Sequence, residues 1–79
     1  MHRIFFDTNE GSQEFGYLLH LPSSAQDLAT MGSEVREGAR VTICMPNELE
    51  MEATLTFDSE CGCWKAMPIP GTIKYLDGS

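Results

Sequence analysis

A small, mainly β fold with one short helix is what this sequence predicts: a strongly bent antiparallel sheet, or a small open barrel, of five to six strands, with the helix at about residues 24–31. Three observations lead there. Leu49, Met51, Ala53, Leu55 and Phe57 are apolar, while Glu50, Glu52, Thr54, Thr56 and Asp58 fill the positions between them; a period of two fits a half-buried strand and sets its inward side. Clusters of Gly, Pro, Asn and Ser punctuate the chain at short intervals, as turns between strands do. Only one stretch, after Pro22, carries the signals of a helix start and stop. At 79 residues the chain makes a single domain, 1–79, with a core only just large enough to offset chain entropy.

Taken in order, residues 3 to 8 read as a first strand, with Ile4 and Phe6 on one face and Phe5 and Asp7 on the other. Residues 14 to 21 read as the second, with Phe15, Tyr17, Leu19 and Leu21 sharing a face. The short connection between them predicts an antiparallel hairpin. Pro22-Ser23-Ser24 then opens the helix: Ser24 is placed to cap a free amide near Asp27, and Asp27 suits the positive end of the helix dipole. Ala25, Leu28, Ala29 and Met31 form its apolar side, and Gly32 ends it.

Arg36 to Arg40 is a turn into a strand that alternates Val41, Ile43 and Met45 inward; Pro46-Asn47-Glu48 reverses the chain into the strand at 49–58. Asp58 to Gly62 is the next turn, followed by a strand from Cys63 to Met67 in which Trp64 and Ala66 face the same way. Pro68-Ile69-Pro70-Gly71 breaks the ladder, and Thr72 to Leu76 closes on the core through Ile73 and Leu76. The run Glu37-Gly38-Ala39-Arg40-Val41, a Gly turn before an alternating strand and a charged hairpin, resembles the opening of SH3-like barrels. That resemblance implies an SH3-like open barrel and, for such barrels in general, adaptor or binding-module roles; it transfers no site residue.

Twelve acidic against five basic residues give a net charge of -7. Too few Lys and Arg remain to displace counterions from a nucleic-acid backbone, so nucleic acid is not an expected partner, and an anionic membrane surface would repel the domain. Met1-His2-Arg3 runs straight into Ile4-Phe5-Phe6-Asp7, which does not read as a signal peptide, and no apolar run has the length of a membrane span. A cytoplasmic location is the resulting expectation. Three cysteines, an odd number, read as reduced thiols.

Candidates for chemistry are few. Cys61-Gly62-Cys63 places two thiols two residues apart, where Cys44 or a partner's cysteine would have to complete a metal shell; a structural zinc site wants about four ligands, so these thiols are read as turn and strand residues. His20 lacks a neighbouring nucleophile, and no Gly-x-Ser-x-Gly, His-Glu-x-x-His or phosphate-binding Gly loop occurs. No enzymatic activity and no cofactor is therefore expected. Glu48, Glu50, Glu52 and Asp58 form an acidic stripe, balanced in part by cross-strand Arg40 or Lys65, and they are the expected surface for a basic protein partner, with a free sheet edge as the other route. The alternative is a small-ligand binder. Tyr17, His20 and Trp64 would then rim an apolar pocket that also draws on Phe5, formed between the subunits of a homodimer.

Overall fold

The computed structural model describes residues 1–76. Seven strands form one sheet: β1 (Arg3–Phe5), β2 (Gly11–Ser12), β3 (Gly16–Leu18), β4 (Arg40–Met45), β5 (Leu49–Asp58), β6 (Cys63–Pro68) and β7 (Lys74–Tyr75). The helix α1 (Pro22–Met31) lies between β3 and β4 in the chain, and short 3-10 turns occupy Thr8–Glu10 and Gly32–Glu34. The spatial order is β1-β4-β5-β6-β3-β2, with β7 on the same flank of β5 as β6. The mainly β fold with one short helix is thus the observed one.

The central hairpins arise as their sequences dictate. In β5, Met51, Ala53 and Leu55 are buried, and they pair in register with Ile43 and Val41 of β4 and Ala66 of β6. The β4–β5 connection is a tight turn closed by the Glu48 N–H on the Met45 carbonyl at 3.0 Å. Pro46 suits its second position and Asn47, with φ of 66°, takes the left-handed one, the requirement of a type II turn.

The first half of the chain departs from expectation. β1 does not form a hairpin with the second strand; it lies parallel to β4, with Arg3 opposite Thr42, Ile4 opposite Ile43 and Phe5 opposite Cys44. It ends at Phe5, because Asp7 turns the chain by accepting from the Asn9 N–H at 2.8 Å. The expected strand at 14–21 shrinks to Gly16–Leu18 and pairs with β6 on one side and the two-residue β2 on the other. Phe15, expected inside with Tyr17 and Leu19, is 69% exposed. Gly16 has φ of 85°, which interrupts the alternation between Phe15 and Tyr17.

With one helix available as cover, the inner face buries itself by curling. Phe6, just beyond β1 at one end of the sheet, meets Tyr17 of β3 near the other end with ring centroids 4.9 Å apart. The sheet remains open, yet its ends approach closely enough to share a core of Ile4, Phe6, Tyr17, Leu19, Met31, Val41, Ile43, Met51, Ala53, Leu55 and Ala66. Ile73, expected to close that core, is 38% exposed; the C-terminal strand joins the fold through backbone pairing, including the Leu76 N–H on the Glu48 carbonyl at 2.7 Å.

Helix α1 starts two residues before the expected position, with Pro22 in the first turn, where its missing N–H costs nothing. Leu21 occupies the cap and makes no side-chain cap bond, so Ser24 does not cap the helix. Ser24, Leu28 and Met31 instead form the inward stripe at helical spacing, and Ala25 and Ala29 face solvent. Gly32 ends the helix with φ of 61°, its N–H on the Ala29 carbonyl.

Candidate functional site

The surface marked by the acidic stripe is the sheet's outer face, which alternation assigns to the side chains between the core positions. Glu50, Glu52 and Asp58 of β5 all lie on it, half-buried among their neighbours. Glu48 does not, because it belongs to the β4–β5 turn and is exposed there. The carboxylates on β5 are each matched by a cation. Arg3 reaches Glu50 at 3.1 Å from β1, two strands away; Arg40 meets Glu52 at 2.6 Å; Lys65 lies 3.8 Å from Asp58. The hydrogen bond from Arg3 to Glu50, and then the charge of Glu50, push the guanidinium pKa up.

The Arg3 and Arg40 pairs are solvent-facing, with both cation side chains 56% exposed, whereas the Lys65 side chain is 25% exposed. Pairs of that kind contribute at most about 1 kcal/mol and exchange readily. The stripe is therefore a ladder of alternating signs flanked by Thr42, Thr54 and Thr56, and much of the net negative charge resides elsewhere, at exposed residues such as Glu14, Glu34, Glu48 and Glu60. Arg3 was missed by sequence reasoning, since only the parallel placement of β1 beside β4 brings it within reach of β5.

Side chains close parts of the sheet margin, at β1 and along β5. Asp27 accepts from the Phe5 N–H at 2.8 Å, and Ser24 Oγ donates to the Phe5 carbonyl at 2.5 Å, so α1 supplies both partners for the outward-facing peptide groups of one edge residue. Glu37 serves the end of β5, accepting from Thr56 Oγ1 at 2.6 Å and the Phe57 N–H at 2.8 Å. Those two hydrogen bonds, in that order, hold its carboxyl below the ordinary value. Thr72 Oγ1 accepts from the Glu52 N–H at 3.1 Å, beyond the end of the β5–β6 ladder.

The three residues proposed for a pocket occupy different environments. Tyr17 is buried against Phe6, His20 is exposed and paired with Glu10, and Trp64 is half-buried with its ring edge-on to Phe57 at 5.4 Å and 74°. Phe5 lies on the outer face of β1, so Phe6, and not Phe5, is the ring that accompanies Tyr17. Among the described residues of a single chain no pocket forms.

The cysteines separate into two groups. Cys44 is opposite Glu50 in β4 and Cys63 is opposite Asp58 in β6, eight positions apart along β5. At about 3.3 Å per residue that separation is about 26 Å, so Cys44 does not complete a metal shell with Cys61 and Cys63 in one chain. Cys61 is exposed in the β5–β6 turn, where its N–H donates to Asp58 Oδ1 at 3.4 Å. Local desolvation, then the Asp58 charge and then Cys63, push that thiol's pKa up.

Among the described residues, no helix is long and apolar enough to cross a membrane. No family model, curated protein or solved structure matches this chain.

Proposed function

We propose that this chain is a non-enzymatic interaction module of the cytoplasm that engages a basic protein partner across the outer face of β5. The observation that supports the reading is the row Glu50, Glu52 and Asp58, each matched by a cation, of which Arg3 and Arg40 are exposed and exchangeable. A partner's Lys or Arg side chains can take the place of Arg3 and Arg40 there, exchanging one exposed ion pair for another at small cost, while the surrounding negative charge steers the approach. The adaptor role common among SH3-like barrels is in keeping with this, as is pairing with a second copy, which would cover exposed apolar side chains such as Phe15 and Tyr75.

The test is an NMR titration with a Lys- and Arg-rich peptide, alongside the double variant Glu50→Lys, Glu52→Lys. Amide shifts confined to β1, β4, β5 and β6 and lost in the variant are expected; the fold should survive, because each exposed pair is worth at most about 1 kcal/mol. Shifts spread evenly over the surface, or retained in the variant, would overturn the proposal.

A further inference from the structure

The strand β7 leaves one stretch of sheet edge open. Lys74 stands opposite Glu50 and Tyr75 opposite Leu49, and the Leu76 N–H bonds to the Glu48 carbonyl at 2.7 Å. In an antiparallel ladder, hydrogen-bonded pairs alternate with pairs that are not. Lys74 and Leu76 therefore turn their peptide groups toward β5, and the N–H and C=O of Tyr75 point the other way. Among the described residues no strand pairs with β7 on that side. The Tyr75 side chain is 74% exposed, and Ile73 before it is exposed as well. The other margins are less open to pairing. Phe5 of β1 has its outward groups bonded to Asp27 and Ser24, and the two-residue β2 is flanked by Glu10 and Glu14. An open edge with exposed apolar side chains is a template for another strand.

We propose that β7 pairs antiparallel with β7 of a second copy, about a two-fold axis between the two Tyr75 residues. These residues then exchange both hydrogen bonds, and their rings become a cross-strand aromatic pair. Charge selects a second copy as the occupant. Lys74 and Glu48 are both exposed, and neither has an ion-pair partner among the described residues. With Tyr75 at the axis, Lys74 of one copy lies beside Leu76 of the other, and Glu48 is the next residue across. That is two strand spacings, about 10 Å, a span that Lys and Glu side chains bridge together. The axis forms this contact twice. The paired sheets are continuous, so both β5 outer faces lie on one side. The inference deepens the pairing with a second copy named above and uses neither Glu50 nor Glu52, so it stands or falls separately from binding at the β5 face. The contact area is small, and the dimer is a weak, concentration-dependent one.

The experiment is sedimentation velocity of the full chain from about 10 µM to about 1 mM. The wild type should shift from monomer toward dimer as concentration rises. Lys74→Glu sets acid against acid across the axis, Glu48→Lys sets cation against cation, and each alone should lose the shift. In an equimolar mixture of the two variants both contacts become opposite-sign pairs, and the shift should return. Tyr75→Pro removes the outward N–H without touching a bond to β5, and it should stay monomeric. Circular dichroism checks each fold, and the mixture keeps the test decisive if Tyr75→Pro unfolds. A wild type that stays monomeric, association that survives in folded Tyr75→Pro, or a mixture that behaves like its separate components would each overturn the proposal.

Discussion

Removing the Ser24 hydroxyl tests the claim that α1 completes the edge of the sheet. Ser24 is fully buried, and its Oγ donates to the Phe5 carbonyl at 2.5 Å. In Ser24→Ala that carbonyl loses its outward partner at a part-buried site, which costs about 1–3 kcal/mol. Asp27→Ala strips the Phe5 N–H, but Asp27 is half-buried and water replaces part of the bond, so about 1–2 kcal/mol is expected. The two act on the same residue and should combine less than additively. For 79 residues the whole stability is of the order of 4–12 kcal/mol, so the double variant should lose a large part of it. Urea unfolding followed by Trp64 fluorescence reads the loss; with m near 1 kcal/mol/M, Ser24→Ala shifts the midpoint down by about 1–3 M. Hydrogen exchange then separates edge closure from helix capping. Faster exchange at Phe5 in Asp27→Ala, with the first turn of α1 unaffected, fits the edge role. A midpoint for Ser24→Ala within about 0.3 M of wild type, or faster exchange confined to the first turn of α1, would refute it.

Two further outcomes follow from other contacts. The Glu37 carboxyl has its pKa lowered in the folded state, so the stability it contributes is fully present above the ordinary carboxylate value and is lost as pH falls through the folded-state value; acid titration of the unfolding midpoint should show a smaller decline in Glu37→Gln, and an unchanged profile would contradict the assignment. In Gly16→Ala the new Cβ would lie 2.5 Å from Met67 Sδ and 2.9 Å from the Ala66 carbonyl at a φ of 85°, so strain and overpacking together should cost about 2–4 kcal/mol, read as a drop in melting temperature. Gly38→Ala, with open space around its Cβ, should cost less, and equal losses would show that contact with β6 is irrelevant.

What could be read in advance was local. The alternation of β5 set which side chains face inward, and Pro46-Asn47 supplied the turn chemistry, so the β4–β5–β6 meander was legible in the sequence. Trp64 faces the same way as the buried Ala66, but it is half-buried at the core's margin, edge-on to an exposed Phe57 where the strand pair outruns the core. Phe15 failed because the side a residue faces depends on continuous extended backbone, which Gly16 interrupts. Ser24 and Asp27 carry the same signals whether they cap their own helix or a distant peptide; only tertiary placement decides between the two. The acidic stripe was visible as composition along β5, yet its pairing with Arg3 depends on a parallel neighbour that no local pattern announces.

The parallel pairing of β1 with β4 also bears on the order in which this protein is made. Arg3 leaves the ribosome before its strand partner, Thr42, which is synthesised 39 positions later. Ile4 and Phe6, both fully buried in the finished fold, must wait for that partner. Long-range closure of this kind slows folding and prolongs the exposure of apolar surface. Ser24 and Asp27 emerge well before Thr42, so α1 can hold Phe5 while the chain is still growing. The helix would then act during synthesis as a temporary companion for an otherwise orphaned strand.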